Sequence, residues 1–316
     1  MTSEFYLAAT VSLIVIGHAR DDDARQRLTW RAAQPLLLIK NTHGASAMLT
    51  GFTAPFSPTG RSSLIPAPPW HYAAWIFTIE YELDPAVARR FLPPELGRAT
   101  GLASMNFTEW QVTSDGSELQ DPAYAQYKES FVLIETELAD GSQANFTPLI
   151  YVDQDLSMMR GWLQGLPKKL GSVWMTRSFG LDHLAAAPLQ AGTRLGATLA
   201  VKDRRLAEAR LRLTGDPGDK LGFFKLPTYG LVGFANLIEE PAPSRPRLVR
   251  HTSEGAVHGP YHAATAELQV FESPRDELYD LRPRRITRAA THTFAWTVAR
   301  VFKPAASIVG HEAAPA

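Results

Sequence analysis

Around residues 75 to 82 the chain alternates between two kinds of side chain. Trp75, Phe77, Ile79 and Tyr81 fall on one side of a pleat, and Ile76, Thr78, Glu80 and Glu82 on the other. A period of two is the mark of a β-strand. Similar runs occur at Ser130–Leu138, Leu195–Lys202, Ala207–Thr214 and Thr265–Phe271. Over Arg288–Val298 the reading stays open, because Phe294, Trp296 and Val298 suit either a strand or a helix face. Asp84-Pro85 is a helix start, an N-cap followed by proline at the first helical position. That helix, through Ala86 to Phe91, must end before Pro93-Pro94. Residues 41 to 70 are rich in Gly, Ser, Thr and Pro and predict irregular backbone. Short strands separated by turn signals, with little helix, indicate a mainly β (α+β) fold built on an antiparallel sheet or barrel.

No internal repeat or low-complexity linker interrupts residues 48 to 316, which read as one domain; residues 1 to 47 read as an N-terminal extension or a mis-assigned start. The extension holds the one long apolar run, FYLAATVSLIVI at 5–16, too short for a comfortable membrane span. As a signal peptide, residues 1–19 lack the positive start, since Glu4 precedes the run and no Lys or Arg does. A cytoplasmic location without stable membrane association is therefore expected, with secretion as the alternative. Apolar residues make up 45% of the 316, enough for a sizeable core, and charged residues 20%. Basic and acidic residues balance at 32 each, which gives no basic surplus to suggest nucleic acid. The absence of cysteine excludes disulfides, thiolate metal sites and a thiol nucleophile.

One stretch carries chemistry that the pattern does not require. In Met159–Met175, MRGWLQGLPKKLGSVWM, the adjacent Lys168 and Lys169 are surrounded by Trp162, Leu163, Leu166, Leu170, Val173 and Trp174, with the rigid Pro167 before them. Burial disfavours an ammonium, and a second ammonium beside it pushes the same way. A neutral amine is what a Schiff-base nucleophile has to be. The plainer reading is a solvated lysine pair in a turn.

Pro167-Lys168-Lys169-Leu170-Gly171 is similar to the active-site segment of the acetoacetate decarboxylase superfamily. The resemblance begins near Met48 with GFTAPFSPTGRSSLIPAPPWHY and continues through IEYELDP, YKES and YVDQD. It then passes through the lysines to ELYDLRP and the following strand, covering about residues 48 to 305. It implies antiparallel strands curled into a cone around a buried pocket, few helices, and a homo-oligomer. It also implies a cofactor-independent lyase that binds a small oxo acid as an iminium on Lys168, with Lys169 acting by charge. Glu129, in Tyr127-Lys128-Glu129-Ser130, resembles a pocket glutamate that positions substrate or handles a proton. Its alternative is an exposed residue at a strand head.

Arg160 and Gln164, eight and four positions before Lys168, resemble the arrangement in superfamily members that run aldol, dehydration or cyclisation chemistry on 2-oxo acids. There the pair holds the substrate carboxylate and carbonyl, with Trp162 on the same segment as a further candidate contact. The departures agree with that branch. Ala74 stands where the decarboxylase has a functional arginine, Asn106 falls near one of its acidic residues, and Arg160-Gly161-Trp162 replaces its Gly-Arg-Glu. The resemblance thus implies a carbon–carbon or carbon–oxygen lyase that condenses and dehydrates a 2-oxo acid. Decarboxylation of a 3-oxo acid such as acetoacetate is the alternative, and a non-catalytic binding protein for a hydrophobic keto ligand is the alternative of another class. The late strand around Thr291, His292 and Thr293 is a candidate source of an acid–base group. His258 and His262 lack an acidic partner at ligand spacing, so no metal is expected. Asp153 and Asp155 read as turn caps, and no phosphate loop, nucleophile elbow or zinc-protease motif occurs.

Overall fold

The alternation read from the sequence becomes a fourteen-stranded sheet. In this computed structural model the described residues are 48–233 and 246–299, together with the backbone of short strands at 37–38 and 303–304. The expected N-terminal extension, apart from that first short strand, and its apolar run lie outside them. The strands in chain order are β1 (Trp70–Glu82), β2 (Arg98–Thr113), β3 (Gln126–Glu137) and β4 (Gln143–Val152), followed by β5 (Lys168–Leu170) and β6 (Ser172–Met175). Next come β7 (Arg194–Val201), β8 (Arg204–Pro217), β9 (Thr228–Val232), β10 (Arg247–Arg250), β11 (Glu254–His258), β12 (His262–Val270) and β13 (Arg285–Val298). Helix α1 (Pro85–Arg89) is capped by Asp84, as the sequence predicts, and α2 (Asp155–Gln164) joins β4 to β5.

From β10 the order across the sheet runs β9, β4, β3, β2, β1, β13, β12, β8, β7, β6, with β5 beside β4 and β11 beside β13. Pairing is antiparallel except where β4 meets β5 and β9. The terminal strand β6 comes back to pack near β2, β3 and β4, so the sheet curls on itself. Each face of the central strands therefore acquires its own core. Ile79, Phe107, Ile134 and Phe146 pack against Leu199 and Leu211 on one face. On the other face, Tyr72, Ile76, Trp110, Phe131 and Ile150 form a second cluster with Leu156 of α2. β2 and β4 are buried on both sides: the polar residues that alternate in them, Ser104, Asn106 and Thr108 in β2 and Asn145 and Thr147 in β4, are themselves buried, so neither strand shows the solvent face that marks the others. β4 also contains Pro148, which sits at a bulge. Val132 pairs with Leu149 but Ile134 with Phe146, one extra residue on the β4 side. The ambiguous Arg288–Val298 is strand throughout, paired residue by residue with β1.

Candidate active site

Register decides where the two lysines go. β5 lies parallel to β4 with Lys168 beside Ile150 and Lys169 beside Tyr151. Ile150 belongs to the cluster on the α2 face and Tyr151 to the cluster on the opposite face. Successive strand residues point to opposite sides, so the two ammonium groups part. Lys168 is buried, only 6% exposed, whereas the Lys169 side chain is 41% exposed and pairs with Asp276, whose other oxygen accepts from the Tyr151 hydroxyl. The expectation that Lys169 presses its charge on Lys168 is therefore corrected. Its charge is met by Asp276 on the other face. The apolar flank is also less buried than its composition suggests, because Leu163, Leu170 and Trp174 are exposed.

Lys168 Nζ lies 2.6 Å from Glu129 Oε2 and donates to Ser157 Oγ at 3.0 Å, with the Tyr127 ring centroid 5.2 Å away. Glu129 is brought there by β3, where Tyr127, Glu129, Phe131 and Leu133 share the inner face; it is 5% exposed rather than a solvated strand head. Its Oε2 has no aligned hydrogen-bond donor. The contact is thus an ion pair between two buried side chains.

The lysine's path is set by a glycine. Lys168 passes over α2 at Gly161, where an added Cβ would lie 2.3 Å from Lys168 Cδ and 2.5 Å from Cγ. α2 ends in a Schellman turn, with Leu166 N donating to Gly161 O and Gly165 N to Trp162 O, and Gly165 supplies the positive φ of 77°. Pro167 then starts the extended strand. Trp162, expected to touch substrate, instead donates from Nε1 to Lys168 O at 2.7 Å and braces the strand backbone. Among the described residues it does not line the cavity.

A cavity of about 300 Å³ opens on this face, lined among others by Tyr72, Tyr127, Glu129, Gln164, Lys168 and His251. Arg160 lies one helical turn before Gln164, on the same face of α2. It is 2% exposed and its Nε and Nη1 have no hydrogen-bond partner. It sits in the wall beside Tyr72 and Tyr127, both of which feel its charge, and not on the cavity surface itself. Burial pushes the Tyr72 hydroxyl up to about 12, although Arg160 pulls it back, and burial also raises Tyr127. Both phenols are neutral donors at physiological pH.

On the late strand, neither Thr291 nor His292 lines the cavity. His292 is 3% exposed, stacked on Tyr261 at 4.0 Å and edge-on to Phe224 at 4.8 Å, outside the cavity lining; Thr291 is tied to Ile76 O. Two histidines line the cavity, His258 at the end of β11 and His251 just after β10; His251 is tied to α2. Its Nε2 lies 2.9 Å from Gln164 O, and since a carbonyl only accepts, Nε2 carries the hydrogen. Burial, with the Lys168 charge adding, pushes its pKa down to about 4. Nothing in the stretch Val249-Arg250-His251-Thr252 signals this role, and Tyr72 and Ser157 were equally silent. Ala74 lies on the inner face opposite Trp110 and Phe294, whereas Asn106 is taken up by bonds with Thr78 and Ser104. His258 bonds Tyr261, and Asp153 accepts from Lys128 N. Among the described residues no group of three His, Asp or Glu side chains could hold a metal.

The acetoacetate decarboxylase family matches residues 53–304. The chain belongs to that family. Its solved relatives include the enduracididine biosynthesis enzyme MppR complexed with the condensation product of pyruvate and imidazole 4-carboxaldehyde. That structure is 31% identical, with TM-score 0.74, and the match covers 80% of this chain and 95% of that one. An acetoacetate decarboxylase-like enzyme from Sphingomonas wittichii RW1 is 25% identical, with TM-score 0.72 and coverage of 78% and 96%. The acetoacetate decarboxylase of Legionella pneumophila, at 18% identity and TM-score 0.60 over 74% and 86%, shares the fold. No curated protein matches. No helix among the described residues is long and apolar enough to cross a membrane.

Proposed function

We propose that the protein is a cofactor-independent lyase that binds a small 2-oxo acid as an iminium on Lys168 and condenses it with an aldehyde, losing water. The observation that carries the reading is the buried Lys168–Glu129 pair at 2.6 Å beside an arginine with unmatched donors. The amine must pass one proton on before it can attack, and the Glu129 carboxylate at 2.6 Å is the acceptor in reach. The neutral amine then attacks the C2 carbonyl, and loss of water gives the iminium. The iminium draws electrons from the C3–H bond; a base removes that proton and an enamine forms. Enamine C3 attacks the aldehyde carbon and the resulting alkoxide takes up a proton. A second C3 proton and the hydroxyl then leave as water, and hydrolysis of the iminium frees the product and Lys168. Glu129 is the group placed for these transfers at nitrogen. Gln164, on the cavity surface, would hold the carbonyl of the acid, and Arg160, in the wall beside Tyr72 and Tyr127, would take its carboxylate on turning towards the cavity, since a planar guanidinium suits a carboxylate.

Decarboxylation of a 3-oxo acid uses the same iminium as electron sink and is the second reading. Ala74 favours the first, because the inner face at that position presents a methyl group against Trp110 and Phe294 in place of a cation. The relative MppR, complexed with pyruvate at 31% identity over 80% of this chain, supports the same choice. The test is incubation with pyruvate plus an aldehyde, and separately with acetoacetate, followed by mass spectrometry and acetone detection. The expected product has the summed mass of pyruvate and aldehyde less one water. Acetone from acetoacetate with no condensation product would overturn the assignment.

A further inference from the structure

We infer that the mouth of the cavity holds a subsite for a carboxylate, carried at the far end of the aldehyde that condenses with the oxo acid, and that Lys220 receives it. The inference rests on the reading of Lys168 as the iminium former. A three-carbon oxo acid does not fill about 300 Å³, a volume in the range of sites that enclose larger ligands. Charge constrains what else can enter. Among the described residues that line the cavity, Glu129 is the one acid, and it is paired with Lys168 at 2.6 Å. Arg160, in the wall, is matched by the carboxylate of the oxo acid. Lys220 is then left over. It lines the cavity, yet the lysines that form ion pairs among the described residues are Lys128, Lys168, Lys169 and Lys225. Its neighbour Asp219 lies 3.6 Å from Arg288 instead.

The surroundings of Lys220 suit an anion. Lys168 is buried and Lys220 is exposed, so the cavity runs from a desolvated end to an open one. The rim at the open end also includes Thr252, Ser253 and His258. His258 feels the Lys220 charge, which places the two side chains near one another. The Tyr261 hydroxyl meets His258 Nδ1 at 3.1 Å, and a hydroxyl that donates there leaves the hydrogen on Nε2. The rim thus presents an ammonium, an imidazole N–H and hydroxyls, each able to donate to a carboxylate oxygen. Leu133, Leu226 and Phe224 supply apolar wall for the methylene groups of an aldehyde chain. A cationic aldehyde would meet an unmatched ammonium at the mouth. A plain aliphatic one would leave Lys220 to water and gain nothing from it.

The experiment measures kcat/KM with pyruvate for succinic and glutaric semialdehydes against butanal and pentanal, in the full-length protein and in Lys220→Met. Thermal melts check that the variant is folded. The wild type is expected to favour the acid of each pair by about tenfold, the size of an exposed ion pair reinforced by neutral donors. That preference should narrow as salt is raised, because an ion pair at an open rim is screened. Lys220→Met should collapse the ratio, which a general loss of activity would leave unchanged. Equal use of acid and neutral aldehyde by the wild type, or a ratio that Lys220→Met retains, would overturn the subsite. Borohydride trapping with pyruvate alone separates the possible failures. An adduct without a preference for the acids removes the subsite only. No adduct removes the iminium reading and the subsite with it.

Discussion

Gly161→Ala should separate folding from chemistry more sharply than removal of any catalytic side chain. The added methyl would sit 2.3 Å from Lys168 Cδ, 2.5 Å from Cγ and 2.8 Å from Cε. Carbon atoms prefer separations of about 3.5–4.0 Å, so the lysine stem must move by at least about 1.2 Å. The backbone of α2 has no need to move, because the obstacle is a side chain. Alanine is also the better helix former by about 1 kcal/mol, which offsets part of the crowding. Stability should therefore change by no more than about 1–2 kcal/mol, within the ordinary range for point substitutions. The amine cannot keep 2.6 Å to Glu129 and 3.0 Å to Ser157 after such a shift. Misplacement of a reacting group by about 1 Å costs on the order of a hundredfold in rate. Urea unfolding would give the stability, and the single-turnover rate of borohydride-trappable adduct with pyruvate would give the chemistry. A variant that unfolds near the wild-type midpoint but forms the adduct about a hundred times more slowly is the expected outcome. Wild-type adduct formation would refute the threading of Lys168 across Gly161, and with it the geometry of the site.

Three other perturbations bear on separate parts of the account. Lys169→Ala should leave the pH dependence of turnover where it is. It should cost about 1–2 kcal/mol, because Asp276, 3% exposed at its side chain, keeps bonds from Tyr151 and Leu278 N but loses its counter-charge. An acid limb shifted to higher pH would restore the like-charge role that the sequence suggested. Arg160→Gln should raise the KM for pyruvate far more than it lowers kcat with a saturating acid; an unchanged KM would remove Arg160 from carboxylate binding. Acid should weaken the fold through His251 and His292, both pushed down to about 4, chiefly by burial. Their folded states resist protonation that the unfolded chain accepts at 6.5. Stability is therefore complete above pH 6.5 and is lost as pH falls towards 4, by about 3 kcal/mol per histidine at most. His292→Phe should flatten the urea midpoint against pH over that window, and an unaltered slope would show that His292 does not contribute.

Much of this architecture can be read from the chain, and the failures have physical causes. β1, β3, β7, β8 and β12 each carry a polar face somewhere along their length, so their alternation is visible. β2 and β4 are covered on both sides, so their alternating polar residues, such as Ser104, Asn106 and Thr108, lie buried instead of marking a solvent face, and Pro148 breaks the second. The aromatic run of β13 was ambiguous because Phe294 is packed in the core on the α2 face while its neighbour Trp296 lines the cavity, so aromatic residues there serve both. Lys168, Glu129 and Gln164 were legible through local motifs, and the sheet together with α2 brings all three to one cavity. The opposite fates of Lys168 and Lys169 were not, since one step along a strand reverses the side and only the register with Ile150 and Tyr151 says which residue turns inward. Tyr72 and His251 reach the cavity from elements far from Lys168 in sequence, so no spacing could reveal them.

The most direct test of the central claim is borohydride reduction in the presence of pyruvate, followed by intact mass and peptide mapping. The account predicts a single adduct on Lys168, abolished in Lys168→Ala and retained in Lys169→Ala. An adduct on Lys169, or none on a folded protein saturated with pyruvate, would contradict it.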